Sequence, residues 1–175
     1  MPKILSITLL AACALSLVSC ATQITSPTSA FAPKRLEKVR TTAYSHNEGS
    51  GSRNAIGRRL SGAGIRSAAS DWSRFPLGTR FRLVENREEY VIDDYGGALV
   101  GTNTIDLYKS PAAMHRWGVR HVDIDILGWG SDAESLKVLR PRHHVGIVRR
   151  MIASLERKQA EKRRRPSAQA VGSFF

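Results

Sequence analysis

The segment from Val91 to Tyr108, VIDDYGGALVGTNTIDLY, concentrates acid in an otherwise basic chain. It holds the carboxylates of Asp93, Asp94 and Asp106 and three glycines, but no lysine or arginine. Carboxyl groups that converge in one place repel one another, so one of them can keep its proton near neutral pH and act as a general acid. Aspartate followed by two glycines is also an ordinary turn sequence. The segment alone therefore predicts either an acid site or a turn between strands.

The start of the chain predicts export from the cytoplasm. Lys3 is followed by an apolar run, Ile4–Val18, which is too short for a comfortable membrane span and is typical of a secretion signal over residues 1–19. The run ends in Leu-Val-Ser-Cys, which resembles the bacterial lipobox and makes Cys20 the expected lipidation site. A plain signal peptide with an incidental cysteine is the alternative.

The chain has two cysteines, Cys13 and Cys20, and five histidines. Removal of the signal and acylation of Cys20 would leave no free thiol, which excludes a disulfide framework and a thiolate nucleophile. The histidines lack the spacing of metal ligands, and we find no phosphate-binding loop. We therefore expect neither a metal nor a cofactor.

The remaining sequence predicts a mostly β domain of residues 36–130 behind a flexible tether of residues 20–35. The tether is rich in Ser, Thr, Pro and Ala. Four segments alternate polar and apolar side chains as strands do, namely KVRTTAYS, TRFRLVE, EEYVID and RHVDIDIL. One short helix is expected from Ser110, its N-cap, to a stop at Gly118. At 175 residues, the chain suits one domain with additions at its ends.

Residues 131–175 are expected to form a basic helical tail with a disordered end. Eleven of the residues from Lys137 to Arg165 are Lys or Arg, against two glutamates, in a chain whose net charge is +12. Its helix has a narrow apolar stripe of Val148, Met151, Ile152 and Leu155. Anionic lipid or an acidic wall polymer would suit this charge, and a solvated helix is an equal alternative. Nucleic acid conflicts with the export signal.

Four motifs follow one another through the body in a fixed order: TTAYS, an aspartate ahead of PLGTRF, IDDYGGALVGTNTIDLY, and WGVRHVDIDIL. Their order and spacing, from about Arg40 to Leu127, resemble the three-aspartate (3D) domain of bacterial cell-wall proteins. That family includes the catalytic domain of membrane-bound lytic transglycosylase A. The chain departs from the pattern at Tyr95, where threonine is usual, and at Val100, where lysine is usual. One additional residue also separates its second and third aspartates.

The resemblance implies a double-psi β-barrel that acts on peptidoglycan. It maps the three family aspartates onto Asp71, Asp94 and Asp106. It further implies cleavage of the glycan strand between N-acetylmuramic acid and N-acetylglucosamine by an aspartate that serves first as acid and then as base. Asp106 is our first candidate for that aspartate, Asp94 the next, and Asp71 supports them. The lipobox adds the location: the bacterial cell envelope, with a lipid anchor on Cys20 and the domain facing the periplasm. Ala21 after Cys20, where aspartate would indicate retention in the inner membrane, favours the outer membrane in a Gram-negative cell.

Three further residues are candidates for contact with the glycan. Gly96 and Gly97 would allow a tight turn and a close approach of the sugar to the backbone, and Tyr44 could line the groove. A tyrosine at a strand end is more often core or rim, and Asp71 could be only the cap of a short turn. Asp93 should point away from Asp94, because consecutive strand residues alternate, and should be solvated.

A protein of another class would also fit these motifs. A lipoprotein that binds peptidoglycan without cutting it would need the same groove. The short body favours this alternative, because lytic transglycosylase A has a second domain across its cleft.

Overall fold

The computed structural model describes residues 33–48 and 51–164. The predicted signal, Cys20 and nearly all of the predicted tether lie outside the described residues, as does the end of the tail. Strand β1 begins at Lys34, two residues ahead of the start that we predicted for the β domain.

The described chain contains six strands, three α-helices and two 3-10 turns. The strands are β1 (Lys34–Tyr44), β2 (Arg66–Ser70), β3 (Arg80–Leu83), β4 (Glu89–Asp94), β5 (Ile105–Tyr108) and β6 (Arg120–Gly128). The helices are α1 (Pro111–Trp117), α2 (Asp132–Leu139) and α3 (Gly146–Arg164), and the 3-10 turns are Gly97–Leu99 and Arg140–Arg142.

The six strands close into a barrel in the order β1-β5-β2-β4-β3-β6. The pairs β1–β5 and β2–β4 are parallel, and the other four pairs are antiparallel. Exchanging the first three strands with the last three reproduces both the ring and every pairing direction. This internal two-fold relation is that of a double-psi β-barrel, so the predicted fold class is confirmed.

Alternating side chains of the strands fill the barrel. In β6, Val122, Ile124 and Ile126 are buried as the sequence pattern predicts. Asp125 of the same strand is also buried and accepts two hydrogen bonds from Arg35, at 2.9 and 3.2 Å. This ion pair joins β1 to β6 and lowers the pKa of Asp125, through that hydrogen bonding first. Strand β2 was not predicted, because its Ala-Ala-Ser sequence has low β propensity.

Helix α1 lies where the sequence predicts it. Ser110 is its N-cap residue, Pro111 opens the helix, and Gly118 ends it with φ of 59°. Proline suits the first helical position, where no backbone N–H is needed for a hydrogen bond. Glycine suits the end of the helix, where the backbone takes a positive φ. The helix leads into β6 and places Trp117 over the barrel, where its ring nitrogen donates to Thr41 at 3.2 Å.

The tail is packed more closely than we expected. Val148, Met151 and Leu155 of α3 are each 0% exposed and join the same apolar cluster as the barrel core. Helix α2 adds Leu136 and Leu139 to that cluster. The apolar stripe of α3 therefore faces protein, and only the cationic side of the helix faces solvent. No helix of the described ranges combines the length and apolar character that crossing a membrane requires.

Candidate functional site

Asp106 lies on the outer side of the barrel, opposite the core. In the parallel pair of β1 and β5, Ala43 is in register with Leu107 and faces inward, so the adjacent pair of Thr42 and Asp106 faces outward. The Thr42 hydroxyl donates a hydrogen bond of 2.6 Å to Asp106. Burial raises the pKa of Asp106, and this hydrogen bond opposes the increase. Asp106 is half-buried and can meet a ligand.

Asp93 and Asp94 reach the same outer side through an irregularity in β4. Ala68 is in register with Ile92, but the next residue, Ala69, is in register with Asp94. Asp93 is thus the additional residue of a β-bulge, and a bulge interrupts the strict alternation of side chains. The expectation that Asp93 points away from Asp94 is therefore wrong.

Asp94 ends β4 and is 9% exposed. One of its carboxylate oxygens accepts hydrogen bonds from the backbone nitrogens of Ala55, at 3.0 Å, and Tyr95, at 2.9 Å. Burial first, and the charge of Asp93 less strongly, raise the pKa of Asp94 to about 6 against these two hydrogen bonds. This carboxyl group consequently changes its charge close to neutral pH.

Asp93 is fixed by the loop that covers this part of the sheet. One carboxylate oxygen accepts hydrogen bonds of 2.8 Å from both Asn54 and Ser67. The other oxygen is buried and has no hydrogen-bond partner among the described residues. Burial raises the pKa of Asp93, and the bonds from Ser67 and Asn54 oppose the increase. Asp93 thus holds the loop in place and adds negative charge beside Asp94.

Tyr44, at the end of β1, lies among these carboxylates. Its pKa is raised above the usual range by burial first and then by the charges of Asp94, Asp93 and Asp106. The hydroxyl is buried and approaches Asp94 without reaching hydrogen-bond geometry to any described residue. Tyr44 therefore stays protonated and offers one free O–H donor. We call the outer surface of Tyr44, Asp93, Asp94 and Asp106 the acidic face.

The register of β2 fixes the distance between the two main acids. Ala69 is paired with Asp94 on one side and with Asp106 on the other. Residues in register lie on the same side of a sheet, and two strand spacings separate these two by roughly 10 Å between Cα atoms. The fold thus brings Asp94 and Asp106 together as the sequence predicts.

Asp71 is not placed on the acidic face by strand register, as Asp94 and Asp106 are. It follows β2, is 2% exposed, and accepts hydrogen bonds from the backbone nitrogen and hydroxyl of Ser73 at 2.8 and 2.7 Å. Its second oxygen accepts from the backbone nitrogen of Gly101 at 2.7 Å. Gly101 has φ of 91°, so this bond stabilises a backbone conformation that favours glycine. The geometry gives Asp71 a structural task.

Gly96 and Gly97 have ordinary backbone conformations. Gly96 is extended, with φ of −128°, and Gly97 opens a 3-10 turn. A Cβ on Gly97 would lie 3.6 Å from Ile147 of α3, so this glycine packs against the helix. The glycine of this segment with a left-handed backbone is Gly101, which has φ of 91°. Contact of Gly96 and Gly97 with a glycan stays a prediction.

Sequence reasoning missed the residues that hold the carboxylates. Thr42, Asn54 and Ser67 bind Asp106 and Asp93 directly, but single polar residues in a strand or loop give no recognisable pattern. Within residues 33–48 and 51–164, no three His, Cys, Asp or Glu side chains are grouped so that they could hold a metal ion.

Comparison with known proteins gives a partial similarity to a solved structure. No family model matches the chain, and no curated protein matches it. Among solved structures, it is similar to the crystal structure of MltA from E. coli, with 28% sequence identity and a TM-score of 0.35. The similarity covers 45% of this chain and 28% of that chain, so the chain spans less than a third of that protein's length. A TM-score of 0.35 is too low to support a conclusion about fold or activity, which we argue from the barrel and the acidic face.

Proposed function

We propose that this chain cleaves the glycan strand of peptidoglycan between N-acetylmuramic acid and N-acetylglucosamine. The observation that carries the proposal is the acidic face, where three partly buried carboxyl groups with raised pKa values surround one protonated hydroxyl. A general acid at neutral pH needs a raised pKa. The resemblance of the sequence motifs to the three-aspartate family supports peptidoglycan as the substrate.

Asp106 is the candidate acid/base. Its proton would go to the glycosidic oxygen as the bond from that oxygen to C1 of the muramic acid breaks, leaving an oxocarbenium-like centre. The 6-hydroxyl oxygen of the same sugar would then bond to C1 and give its proton to the Asp106 carboxylate. The carboxyl group ends protonated, a 1,6-anhydro ring forms, and no water is consumed.

Asp94 and Tyr44 would stabilise the charged intermediate and orient the sugar. With a pKa of about 6, Asp94 is ionised in most molecules at neutral pH and favours positive charge nearby. Tyr44 would orient the sugar through its O–H, which lies beside Asp94 and has no partner in hydrogen-bond geometry among the described residues. Asp71 would act only by holding the Gly101 loop.

The cellular setting is part of the same proposal. Acylation of Cys20 would anchor the protein to the envelope, in the outer membrane with the barrel in the periplasm. The cationic side of α3 would meet anionic lipid or acidic wall polymer, because this helix carries seven Lys or Arg against two Glu.

A second candidate function is binding of the glycan without cleavage. It is favoured by the hydrogen bonds that Asp71 and Asp94 already accept from backbone nitrogens. Carboxylates used in this way stabilise loops without any need for catalysis. A binding protein would keep the surface of the acidic face and show no chemistry at Asp106.

Digestion of purified sacculi tests both candidates. The full chain in detergent should release muropeptides that carry 1,6-anhydro ends, which mass spectrometry separates from hydrolysed ends by one water. Asp106→Asn should lower release by about a hundredfold or more. Asp123→Asn is the matched control, because Asp123 lies on β6 and accepts from the backbone nitrogen of Lys38. Sacculi that bind the protein but stay intact would leave only the second candidate.

A further inference from the structure

A groove of about 900 Å³ beside the acidic face contains the one solvent-facing tryptophan of the chain. Trp129 is 51% exposed, whereas Trp72 and Trp117, the other two tryptophans, are 0% and 7% exposed. The ring of Trp129 stacks on Phe75 with a centroid distance of 6.3 Å and an angle of 13°. One face of the indole is thus supported by protein while the groove remains open to a ligand.

The position of Trp129 is fixed by its neighbour. A Cβ at Gly130 would lie 2.2 Å from the backbone oxygen of Leu77, so only glycine allows this close approach. The nitrogen of Gly130 also donates to the Thr79 hydroxyl at 3.0 Å. A large aromatic side chain held rigidly at the surface is a feature of binding sites, since its burial by a ligand costs little conformational entropy.

The walls of the groove carry donors and acceptors of a kind that suits sugar hydroxyl and amide groups. Arg74, Asn103 and His121 line it and are exposed. Arg74 forms no ion pair with any residue of the described ranges. A flat apolar surface with a few polar groups around it is the usual composition of a small-ligand site.

One end of the groove lies near the acidic face, where Arg40 and Thr104 line it. Arg40 lines the groove and donates to the Thr104 hydroxyl at 3.0 Å. Arg40 stands two positions before Thr42 on β1, and Thr104 stands two positions before Asp106, just ahead of β5. This places the end of the groove about 7 Å from Asp106. The charge of Arg40 also lowers the pKa of Asp106, opposing its burial.

We propose that this groove binds an N-acetylhexosamine ring of a glycan strand, with the C–H face of the sugar stacked on Trp129. Arg74 pairs with a carboxylate carried by that strand. The identity of the ligand rests on the proposed function, and the groove supplies the subsite next to the bond that Asp106 cleaves. A polymer of alternating sugars with sparse carboxylates fits an aromatic surface whose walls carry Arg40, Arg74 and Lys38 but also Glu37.

Binding of a neutral chitin tetrasaccharide to the full chain in detergent tests the stacking. Calorimetry should show a loss of affinity of about tenfold or more for Trp129→Ala, as for a central aromatic contact. Trp129→Phe keeps a ring and should bind within a few-fold of the wild type. The wild type should shift its tryptophan emission on binding, and Trp129→Phe should not. Val119→Ala is the control, because Val119 is 60% exposed and does not line the groove.

A second measurement tests the role of the Arg74 charge. Its outcomes also distinguish failure of the proposed groove from failure of the proposed cleavage activity. Arg74→Gln should weaken binding to sacculi by a larger factor than it weakens binding of the neutral tetrasaccharide. Affinity that depends on Trp129 without any cleavage would support the groove and overturn the proposed activity. Cleavage with equal tetrasaccharide affinity in the wild type and Trp129→Ala would overturn the groove alone. Equal affinity of both proteins without cleavage would overturn both.

Discussion

Thr42 donates a hydrogen bond of 2.6 Å to Asp106 across the parallel pair of β1 and β5. A hydrogen bond to a carboxylate favours its ionised form and lowers its pKa. Burial acts in the opposite direction at Asp106 and is the larger effect, so the pKa is raised overall. The Thr42 hydroxyl therefore lowers the pKa of the candidate acid without contacting the sugar.

Replacement of Thr42 by valine removes this bond and keeps the shape of the side chain. The pKa of Asp106 should rise further, so the general acid stays protonated to higher pH. We expect the alkaline limb of the pH profile of muropeptide release to move upward. Thr42→Ser keeps a hydroxyl and should restore the wild-type profile. An unchanged profile in Thr42→Val would show that Asp106 is not the titrating acid.

Asp94→Asn should stabilise the protein at neutral pH. The pKa of Asp94 rises from 3.8 to about 6 on folding, so the folded state binds more protons than the unfolded state between these values, and stability falls as pH rises through them. Each pKa unit corresponds to about 1.4 kcal/mol, which gives at most about 3 kcal/mol. Asparagine can still accept the bonds from Ala55 and Tyr95, because both reach one oxygen.

Urea unfolding of the wild type and Asp94→Asn at pH 4 and pH 7.5 measures this effect. The difference in the free energy of unfolding should favour the variant at pH 7.5 and shrink at pH 4, where the folded carboxyl group is protonated. A difference that does not depend on pH would mean that Asp94 has no raised pKa.

Asp71→Asn should destabilise the protein, in contrast to Asp94→Asn. Both oxygens of Asp71 accept hydrogen bonds, from Ser73 and from the backbone nitrogen of Gly101. An asparagine amide in place of the second oxygen would turn an N–H donor toward the donor of Gly101. We expect a loss of about 1–3 kcal/mol in the free energy of unfolding. Stability equal to the wild type would remove the structural role of Asp71.

The sequence predicted the fold where a regular pattern or a motif reports on it. RHVDIDIL and EEYVID alternate and became β6 and β4, and Pro111 and Gly118 bound the helix between β5 and β6. The motifs, not the periodicity, predicted a double-psi barrel. Strand β2 was not predicted because RSAAS has no hydrophobic alternation. Its burial on both sides comes from tertiary packing.

The candidate site was predicted only in part, because its geometry also depends on contacts between residues far apart in the sequence. Asp94 and Asp106 lie on the same side of the sheet because both are in register with Ala69, and register between distant strands is not visible in a single sequence. The bulge at Asp93 reversed our expectation for that residue. The partners Asn54 and Ser67 lie 39 and 26 residues away from Asp93 along the chain, and no local pattern links them to it.

Cys20→Ala should release the protein from the membrane fraction. If Cys20 is acylated, the wild type takes up labelled fatty acid and the variant does not, because the acyl chain needs the sulfur. Cys13→Ala is the matched control, since Cys13 lies within the predicted signal and its loss should leave labelling unchanged. Attachment through the basic tail alone would be weak and sensitive to salt. Equal labelling of Cys20→Ala and the wild type would contradict the lipid anchor.

Removal of α3 should unfold the barrel, because the apolar stripe of this helix belongs to the same core as the barrel. Met151 is 0% exposed within the shared core, so Met151→Ala should lower the free energy of unfolding by about 2–5 kcal/mol. The neighbouring Arg150 is exposed, and Arg150→Ala should change it by no more than about 0.5 kcal/mol. Urea unfolding of the two variants measures the contrast. Equal small effects would show that α3 is an appendage, and the cationic helix could then be removed without loss of the acidic face.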